Sequence, residues 1–208
     1  MEKTCFVLIG YGVKTDYSTG RQLNLDNTYN SIIKPVLDEL GIQCFRAKDL
    51  IHSGVIDQTM YEWIYKADLV IADLSTLNPN VLYELGVRHA LRPFSTIVIS
   101  ENELKYPFDL NHTNINPTYK HLGEDIGVQE AKRFKDELKT VLDNILKKPE
   151  KDSPVYTFLK DLEMPKFSSS EIRELKRLEK EKESLSDLLE QAESAKKEND
   201  FLKSKDLF

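Results

Sequence analysis

The sequence predicts an α/β fold in which helices cover both faces of an open, mainly parallel sheet, and a helical extension follows this domain. Short apolar runs of buried-strand length alternate with helical patterns over the first 148 residues of the 208-residue chain, as is typical of parallel α/β sheets. Apolar residues make up 40% of the chain, which is enough for the core of one domain of ordinary size. We therefore expect an α/β domain over residues 1–148, a short helix and linker over 149–170, and a charged helix over 171–208.

The individual elements follow from periodicity and from capping residues. The predicted strands cover residues 6–9, 42–45, 69–72 and 95–100, and the predicted helices cover 26–40, 55–67, 78–92, 128–147 and 155–162. Asp26 is expected to cap the first helix and Pro35 to kink it, and the last helix is expected to pack on the domain through Tyr156, Phe158 and Leu159. Residues 13–25 have the composition of a mobile surface loop. Residues 102–125 show no clear period, so a fifth strand cannot be placed there.

The stretch from Ala67 to Leu91 carries the first candidate site. Its apolar run ends at Asp73, and Asn78-Pro79 then reads as a helix start, with Asn as the capping residue and Pro in the first helical position. Glu84 follows about one turn into this helix. We expect the two carboxylates to converge on the crevice outside the carboxyl ends of the strands, where open α/β sheets bind ligands.

Gly10-Tyr11-Gly12 follows the first predicted strand and is a second candidate for ligand contact. Two glycines allow a tight turn and a close approach of backbone N–H groups to an anion. The segment matches neither a P-loop nor a GxGxxG fingerprint, so an ordinary strand-to-loop turn explains it equally well.

A family resemblance runs from about Cys5 to Ser100. It is carried by CFVLIGYG, TGRQLNLDNTYNSIIKPVLDELG and ADLVIADLSTLNPNVLYELGVRHAL, in which an acidic strand end precedes Asn-Pro-Asn-Val and Tyr-Glu-Leu-Gly. This pattern resembles the nucleoside 2-deoxyribosyltransferase-like group, which is related to TIR domains and to the N-terminal region of apoptosis signal-regulating kinases. The resemblance implies a flavodoxin-like sheet. It also implies that Glu84 matches the glutamate that attacks or stabilises the sugar carbon of a nucleoside in catalytic members.

The expected activity is cleavage of the N-glycosidic bond of NAD or of a nucleoside or its monophosphate. Such cleavage passes through an oxocarbenium-like sugar, so we assign Glu84 to the anomeric carbon and Asp73 to ribose binding or base protonation. The expected nucleotide-binding residues are Gly10, Tyr11, Gly12, Ser75, Asn78 and Asn80. Capping and turn roles explain the two asparagines equally well, and a solvated helix glutamate is the alternative for Glu84. The resemblance to TIR-related domains implies activation by assembly, as in bacterial antiviral defence.

A non-catalytic module that senses a nucleotide or acts as a scaffold is the alternative function. It is favoured by the absence of a second well-defined catalytic group and by the loop over residues 13–25. The C-terminal helix would then link the module to its partners.

Charge and composition disfavour several other classes of function. The net charge of −6, without a basic tract, argues against binding to nucleic acid, and no apolar run approaches the ~20 residues that cross a bilayer. Met1-Glu2-Lys3 leads directly into a strand rather than a signal peptide, so a cytoplasmic location is expected. The four histidines lack ligand spacing, and Cys5 and Cys44 are expected to be buried, reduced thiols. We therefore expect no metal and no cofactor other than NAD or a nucleotide as substrate or ligand.

The helix predicted over residues 171–203 is expected to mediate a homo-oligomer. Its apolar stripe consists of Leu175, Leu178, Leu185 and Leu189. Lys182, Lys196 and Asn199 interrupt this stripe, which leaves about two convincing heptads of coiled coil. A single charged helix is the alternative.

Overall fold

The main sheet contains five parallel strands, and a short antiparallel hairpin follows the first of them. The computed structural model describes residues 3–17, 19–50 and 56–166, apart from the side chains of residues 50, 56–59 and 111. The strands are β1 (Lys3–Leu8), β2 (Val13–Thr15), β3 (Gln22–Asn24), β4 (Ile42–Arg46), β5 (Leu69–Asp73), β6 (Thr96–Glu101) and β7 (Ile115–Tyr119). All of them belong to one compact unit that covers residues 1–51 and 55–164. The helix predicted over 171–208 lies outside the described residues.

Helical segments connect these strands. The α-helices are α1 (Leu25–Thr28), α2 (Lys34–Glu39), α3 (Ile56–Lys66), α4 (Pro79–Leu91), α5 (Val128–Lys147) and α6 (Pro154–Phe158). A π-helical segment over Tyr29–Ile33 joins α1 to α2, so the regular helix is already interrupted before Pro35, which lies in the first turn of α2. Two 3-10 segments cover Ala47–Leu50 and Phe108–His112.

The strand order confirms the predicted open, parallel α/β sheet. The order is β4-β1-β5-β6-β7, and every neighbouring pair is parallel. Counted along the sheet strands alone, this order is 2-1-3-4-5, which is the order of flavodoxin-like doubly wound sheets. The order reverses between β1 and β5, and the ligand crevice of such folds lies at the carboxyl ends of the two strands that flank this point.

Helices cover both faces of the sheet, and β1 shows why its sequence is apolar throughout. Cys5 and Val7 belong to the core cluster that contains the first helical segments and α5, whereas Phe6 and Leu8 belong to the cluster that contains α3 and α4. Successive side chains of a strand point to opposite faces, so a strand buried on both faces needs apolar residues at every position. This burial on both faces explains the continuous apolar runs in the sequence.

The longest helix, α5, is amphipathic. Phe134, Leu138 and Leu142 are fully buried, and many of the remaining positions are charged and face away from the core. Within the described residues, no helix is both long and apolar enough to cross a bilayer.

The prediction of an irregular loop over residues 13–25 is wrong. β2 and β3 form a hairpin there, and Leu23 of β3 and Leu25 at the start of α1 are buried in the core. The helix cap predicted at Asp26 is also wrong, because Asn24 is the capping residue and accepts a hydrogen bond from the Asn27 N–H group. Strands of three residues are too short for a visible alternation of apolar and polar side chains, and Asn24 and Asp26 are both good capping residues.

The stretch without a clear period contains β7, the fifth strand. It is an edge strand of five residues, and Pro117 lies within it, where proline is tolerated because one side of the strand is unpaired. The prediction for α6 holds only for Tyr156, which is buried, since Phe158 and Leu159 are 65% and 58% exposed.

Cys5 and Cys44 are neighbours in the parallel register of β1 and β4. Both thiols are free; Cys5 is fully buried and Cys44 partly so. Burial raises the pKa of both thiols, and that of Cys44 reaches about 11. The expectation of burial is confirmed for Cys5, whereas Cys44 is less enclosed than expected and lies 3.3 Å from the Tyr29 hydroxyl.

Gly10 and Gly86 form a matched pair for testing the packing at the carboxyl end of β1. A Cβ atom at Gly10 would lie 2.6 Å from Leu25 Cδ1, whereas one at Gly86, inside α4, would meet nothing within 4 Å. We expect Gly10→Ala to lower the free energy of unfolding by ~1–3 kcal/mol through overpacking and Gly86→Ala to raise it by roughly 0.5–1 kcal/mol. Urea denaturation measures both changes. A stable Gly10→Ala variant would mean that Leu25 yields without cost.

Candidate functional site

The candidate site lies where the sheet order reverses. The Gly10–Gly12 segment follows β1, and the loop from Leu74 to the start of α4 follows β5, its neighbour in the sheet. The two segments are in close contact, because a Cβ atom on Gly10 would lie 3.5 Å from the side-chain nitrogen of Asn78. That distance is an ordinary van der Waals contact, so the glycine is required by Leu25, at 2.6 Å, rather than by Asn78.

The start of α4 has the predicted cap. The Asn78 side chain accepts a hydrogen bond of 2.9 Å from the Asn80 N–H group, and Pro79 lies in the first turn. Asn80 itself is exposed at this helix start. The capping role of Asn78 is confirmed, and contact between either asparagine and a nucleotide stays a prediction.

Glu84 is the most unusual carboxylate of the site. It is partly buried, and burial alone raises its pKa to about 7. Among the described residues it has no hydrogen-bond or ion-pair partner. Its charge contributes, after burial, to the raised pKa of Tyr11, so the carboxylate lies near the Gly10–Gly12 segment. A carboxylate that is desolvated but uncompensated is a candidate for chemistry.

Arg88 explains why Glu84 lacks a cation, although the two residues are spaced four apart on one helix. The Arg88 side chain is fully buried and points into the core. Its guanidinium donates to the backbone carbonyls of Ile64, Ala67, Phe94 and Ser95 at 2.8–3.3 Å and to Thr96 Oγ1 at 3.2 Å. Arg88 therefore anchors α4 to the rest of the domain and does not neutralise Glu84.

Asp73, the second predicted catalytic residue, is enclosed. It is 3% exposed and accepts three hydrogen bonds: from the Ser75 N–H group at 2.8 Å, from Ser75 Oγ at 2.5 Å and from the Tyr119 hydroxyl at 2.5 Å. Burial raises the pKa of Asp73, although these hydrogen bonds oppose the rise. The structure thus places Asp73 in an internal network, whereas Glu84 stands partly open to solvent.

Ser75 lies at the centre of this network and is 1% exposed. Its Oγ atom accepts a hydrogen bond of 2.7 Å from the Glu101 N–H group and lies 2.7 Å from the Tyr119 hydroxyl. The network therefore joins residues at the carboxyl ends of β5, β6 and β7. Tyr119 was not among the predicted site residues, because β7 could not be placed from the sequence. A direct contact of Asp73 or Ser75 with a nucleotide stays a prediction.

Asp26 and two cations form a cluster beside the Gly10–Gly12 segment. The Asp26 carboxylate accepts hydrogen bonds from the Gly12 N–H group at 3.2 Å, from Arg46 at 2.6 Å and from Lys48 at 3.1 Å. Burial acts to raise the pKa of Asp26, but the hydrogen bonds from Arg46 and Lys48 outweigh it and the pKa is lowered. The N–H group of Gly12 does bind an anion, and that anion is a side chain of the same protein.

Tyr11 lies beside the cluster formed by Asp26, Arg46 and Lys48, and the charge of Glu84 acts on its hydroxyl. Its hydroxyl accepts a hydrogen bond of 3.0 Å from the Lys48 N–H group, and its ring is 5.6 Å from the Arg46 guanidinium and 5.1 Å from Lys48 Nζ. The ring is 37% exposed, so one part of it is available to a ligand. The crevice thus combines an uncompensated carboxylate, an aromatic surface and two cations.

Two histidines, His89 and His121, are buried, and the ring of His121 lies 5.2 Å from that of Tyr119. Burial lowers the pKa of both His89 and His121 to about 4, so both are neutral near pH 7. Within the described part of the chain, no three His, Cys, Asp or Glu side chains are grouped as metal ligands.

Comparison with known proteins does not extend this description. No protein-family model matches the chain, and no curated protein matches it significantly. The fold and the site therefore define the molecule as a doubly wound α/β protein with a candidate crevice at its switch point.

Tyr119→Phe tests the network around Asp73. The change removes one donor from a buried carboxylate, so we expect the free energy of unfolding to fall by ~1–3 kcal/mol. Tyr106→Phe is the matched control, because it removes a hydroxyl that lies 2.7 Å from Ser100 Oγ, a neutral group. The control is expected to cost less, about 0.5–1.5 kcal/mol. Equal losses in denaturant titrations would show that Asp73 does not depend on Tyr119.

Proposed function

We propose that this protein is a nucleotide N-glycosidase that cleaves the N-glycosidic bond of NAD or of a nucleoside monophosphate. The observation that carries the proposal is Glu84, a partly buried carboxylate beside the crevice of the switch point that has no partner among the described residues. The resemblance of the Asn-Pro-Asn and Glu-Leu-Gly segments to the deoxyribosyltransferase-like group supports the same assignment.

Glu84 acts at the sugar carbon. As the bond between that carbon and the base nitrogen breaks, its electron pair leaves with the base and positive charge develops on the sugar. An ionised carboxylate stabilises this charge more strongly in a partly desolvated crevice than in water. A water molecule then adds to the sugar carbon and loses a proton. The departing base takes up a proton when the substrate is a nucleoside monophosphate, whereas nicotinamide leaves NAD as a neutral molecule and the proton passes to solvent.

The other residues of the crevice hold the substrate in this proposal. The exposed part of the Tyr11 ring stacks on the base, and Asn80 and the start of α4 face the sugar hydroxyls or a phosphate. Asp73 and Ser75 fix the loop between β5 and α4 from below. A direct role of Asp73 in ribose binding or base protonation requires a ligand to replace a bond from Tyr119 or Ser75.

The activity is tested with NAD and a panel of nucleosides and nucleoside monophosphates, and base release is followed by chromatography. We expect Glu84→Gln to reduce base release by a factor of about 100 or more, since one charge at the developing cation is lost. Glu62→Gln is the matched control, because Glu62 is another partly buried helix glutamate, paired with Lys66. Equal release by the wild type and by Glu84→Gln would contradict the assignment.

The pH dependence gives a second test of Glu84. Its pKa of about 7 means that the reactive, ionised form increases as the pH rises through this value. We therefore expect kcat/KM, which reports the free enzyme, to rise with pH and to level off above about 7. A profile that is flat across this range would show that the ionisation of Glu84 does not control the reaction.

A non-catalytic nucleotide sensor is the second candidate function. It is favoured by the enclosure of Asp73, which is 3% exposed and so does not present a second catalytic carboxylate beside Glu84. Thermal-shift titration separates the two functions. Stabilisation by a nucleotide that is never consumed, even in assembled protein, would favour sensing.

Assembly through residues 171–203 is part of the proposal, with activity that depends on it as in bacterial antiviral defence. The leucine stripe at positions 175, 178, 185 and 189 would leave apolar area in water at roughly 25 cal/mol per Å² unless it pairs. We expect a homodimer, or a larger assembly of dimers, for the full chain and a monomer for a chain that ends at Lys166. Light scattering measures both. The same oligomeric state in both proteins would show that this helix is not the element of assembly.

A further inference from the structure

A groove of about 690 Å³ lies at the opposite end of the sheet from Glu84. It is bounded by the amino ends of β6 and β7, by the last two turns of α5, and by α6 with the segment that precedes it. The volume falls within the range of about 300–1,000 Å³ that is typical of small-molecule sites. None of the residues assigned to the crevice lines this groove.

The last turns of α5 give the groove both apolar and polar residues. Ile145 follows Phe134, Leu138 and Leu142 on the apolar side of the helix and packs, partly buried, against the core. Asn144 is exposed on another side of the helix and gives the groove a polar wall. The floor remains apolar, because Ile97, Val98 and Val141 also line the groove.

Polar side chains line both walls. On the strand side, the alternate residues His112, Asn114 and Asn116 line the groove, and Asn144 lines it from the helix. Each asparagine amide presents both a donor and an acceptor. Amides on two facing walls match a ligand that carries hydroxyl groups.

Two lysines give the groove its charge. Lys147 and Lys151 line it and form no ion pair with any described residue, whereas Lys148 lies 3.4 Å from Glu150. The remaining carboxylate, Asp152, accepts a hydrogen bond of 2.8 Å from the Thr96 N–H group. The cations without partners therefore favour an anionic group on the ligand.

Phe158 forms an aromatic end wall. It is 65% exposed, although its sequence context predicted burial, and its ring contacts His112 edge-to-face at 5.3 Å between centroids. An exposed aromatic ring beside polar groups is suited to stacking on a planar base.

We propose that this groove binds a nucleoside 5′-monophosphate at a second site, separate from the crevice. The phosphate contacts Lys147 and Lys151, the ribose hydroxyls contact the asparagine amides, and the base stacks on Phe158. The site lies across the sheet from Glu84 and does not depend on the proposed glycosidase activity.

The test is isothermal titration calorimetry of the full chain carrying Glu84→Gln and Tyr11→Ala. The first change prevents turnover in the crevice, and the second removes the ring that is proposed to stack on the base there, so that the heat reports on the groove. The probes are adenosine 5′-monophosphate, ribose 5-phosphate, adenosine and inorganic phosphate. We expect the double change Lys147→Gln and Lys151→Gln to weaken binding of adenosine 5′-monophosphate by about tenfold or more, since the loss of even one charged contact weakens binding by about tenfold. Phe158→Ala is expected to weaken binding of adenosine 5′-monophosphate and to leave ribose 5-phosphate unchanged.

Lys132→Gln with Lys135→Gln is the matched control, because both lysines lie on α5 outside the groove. It is expected to bind the nucleotide as the parent does, and the unfolding temperatures of all unliganded variants are expected to agree. Absence of binding at millimolar nucleotide, or binding that the Lys147 and Lys151 changes leave intact, would overturn the site. Equal affinity for adenosine and its monophosphate would overturn the phosphate contact, and ribose 5-phosphate binding as tightly as the nucleotide would overturn the stacking.

Discussion

One buried carboxylate determines the geometry of the crevice. A charge as enclosed as that of Asp73 costs several kcal/mol unless hydrogen bonds compensate it, and Ser75 and Tyr119 together supply three donors. The same Ser75 hydroxyl accepts from the Glu101 N–H group, so the carboxyl ends of three neighbouring strands are tied at one point. The loop from this point to Asn78 sets where α4 begins. The position of Glu84 in the crevice therefore rests on a network that a ligand does not need to touch.

Unlike Asp73, Glu84 accepts no hydrogen bond from the described residues, and its desolvation lowers the stability of the folded protein. Burial raises its pKa from 4.5 to about 7, so between these values the folded protein keeps a proton that the unfolded chain has already released. The free energy of unfolding consequently falls as the pH rises through this window. Arg88, four residues further along the helix, could have removed the cost, but its donors are occupied by backbone carbonyls. A carboxylate in a crevice that destabilises the fold is explained better by a role in function than by a role in folding.

The parts of the fold that the sequence predicted are those whose cause is local. The apolar run before Asp73 indicates a strand that is buried on both faces, and Asn78-Pro79 indicates a capped helix start. Both elements could therefore be predicted from neighbouring residues. The contact between Tyr119 and Asp73 joins residues 46 positions apart across an intervening strand, and no local pattern encodes it. Glu84 was identified from the resemblance and its place in the helix. Its lack of a partner became visible only when the direction of Arg88 was known.

The hairpin after Gly12 connects the end of β1 to the network around Asp73. Arg21, immediately before β3, donates to Glu101 at 2.9 Å and to the His121 carbonyl at 3.2 Å, and Glu101 donates its N–H group to Ser75. At the other end of the hairpin, the Gly12 N–H group is held by Asp26. Contacts therefore run from β1 through the hairpin to the network under β5. A crevice held on both sides by interactions within the protein is ordered before a ligand arrives, so binding there loses little free energy to ordering the site.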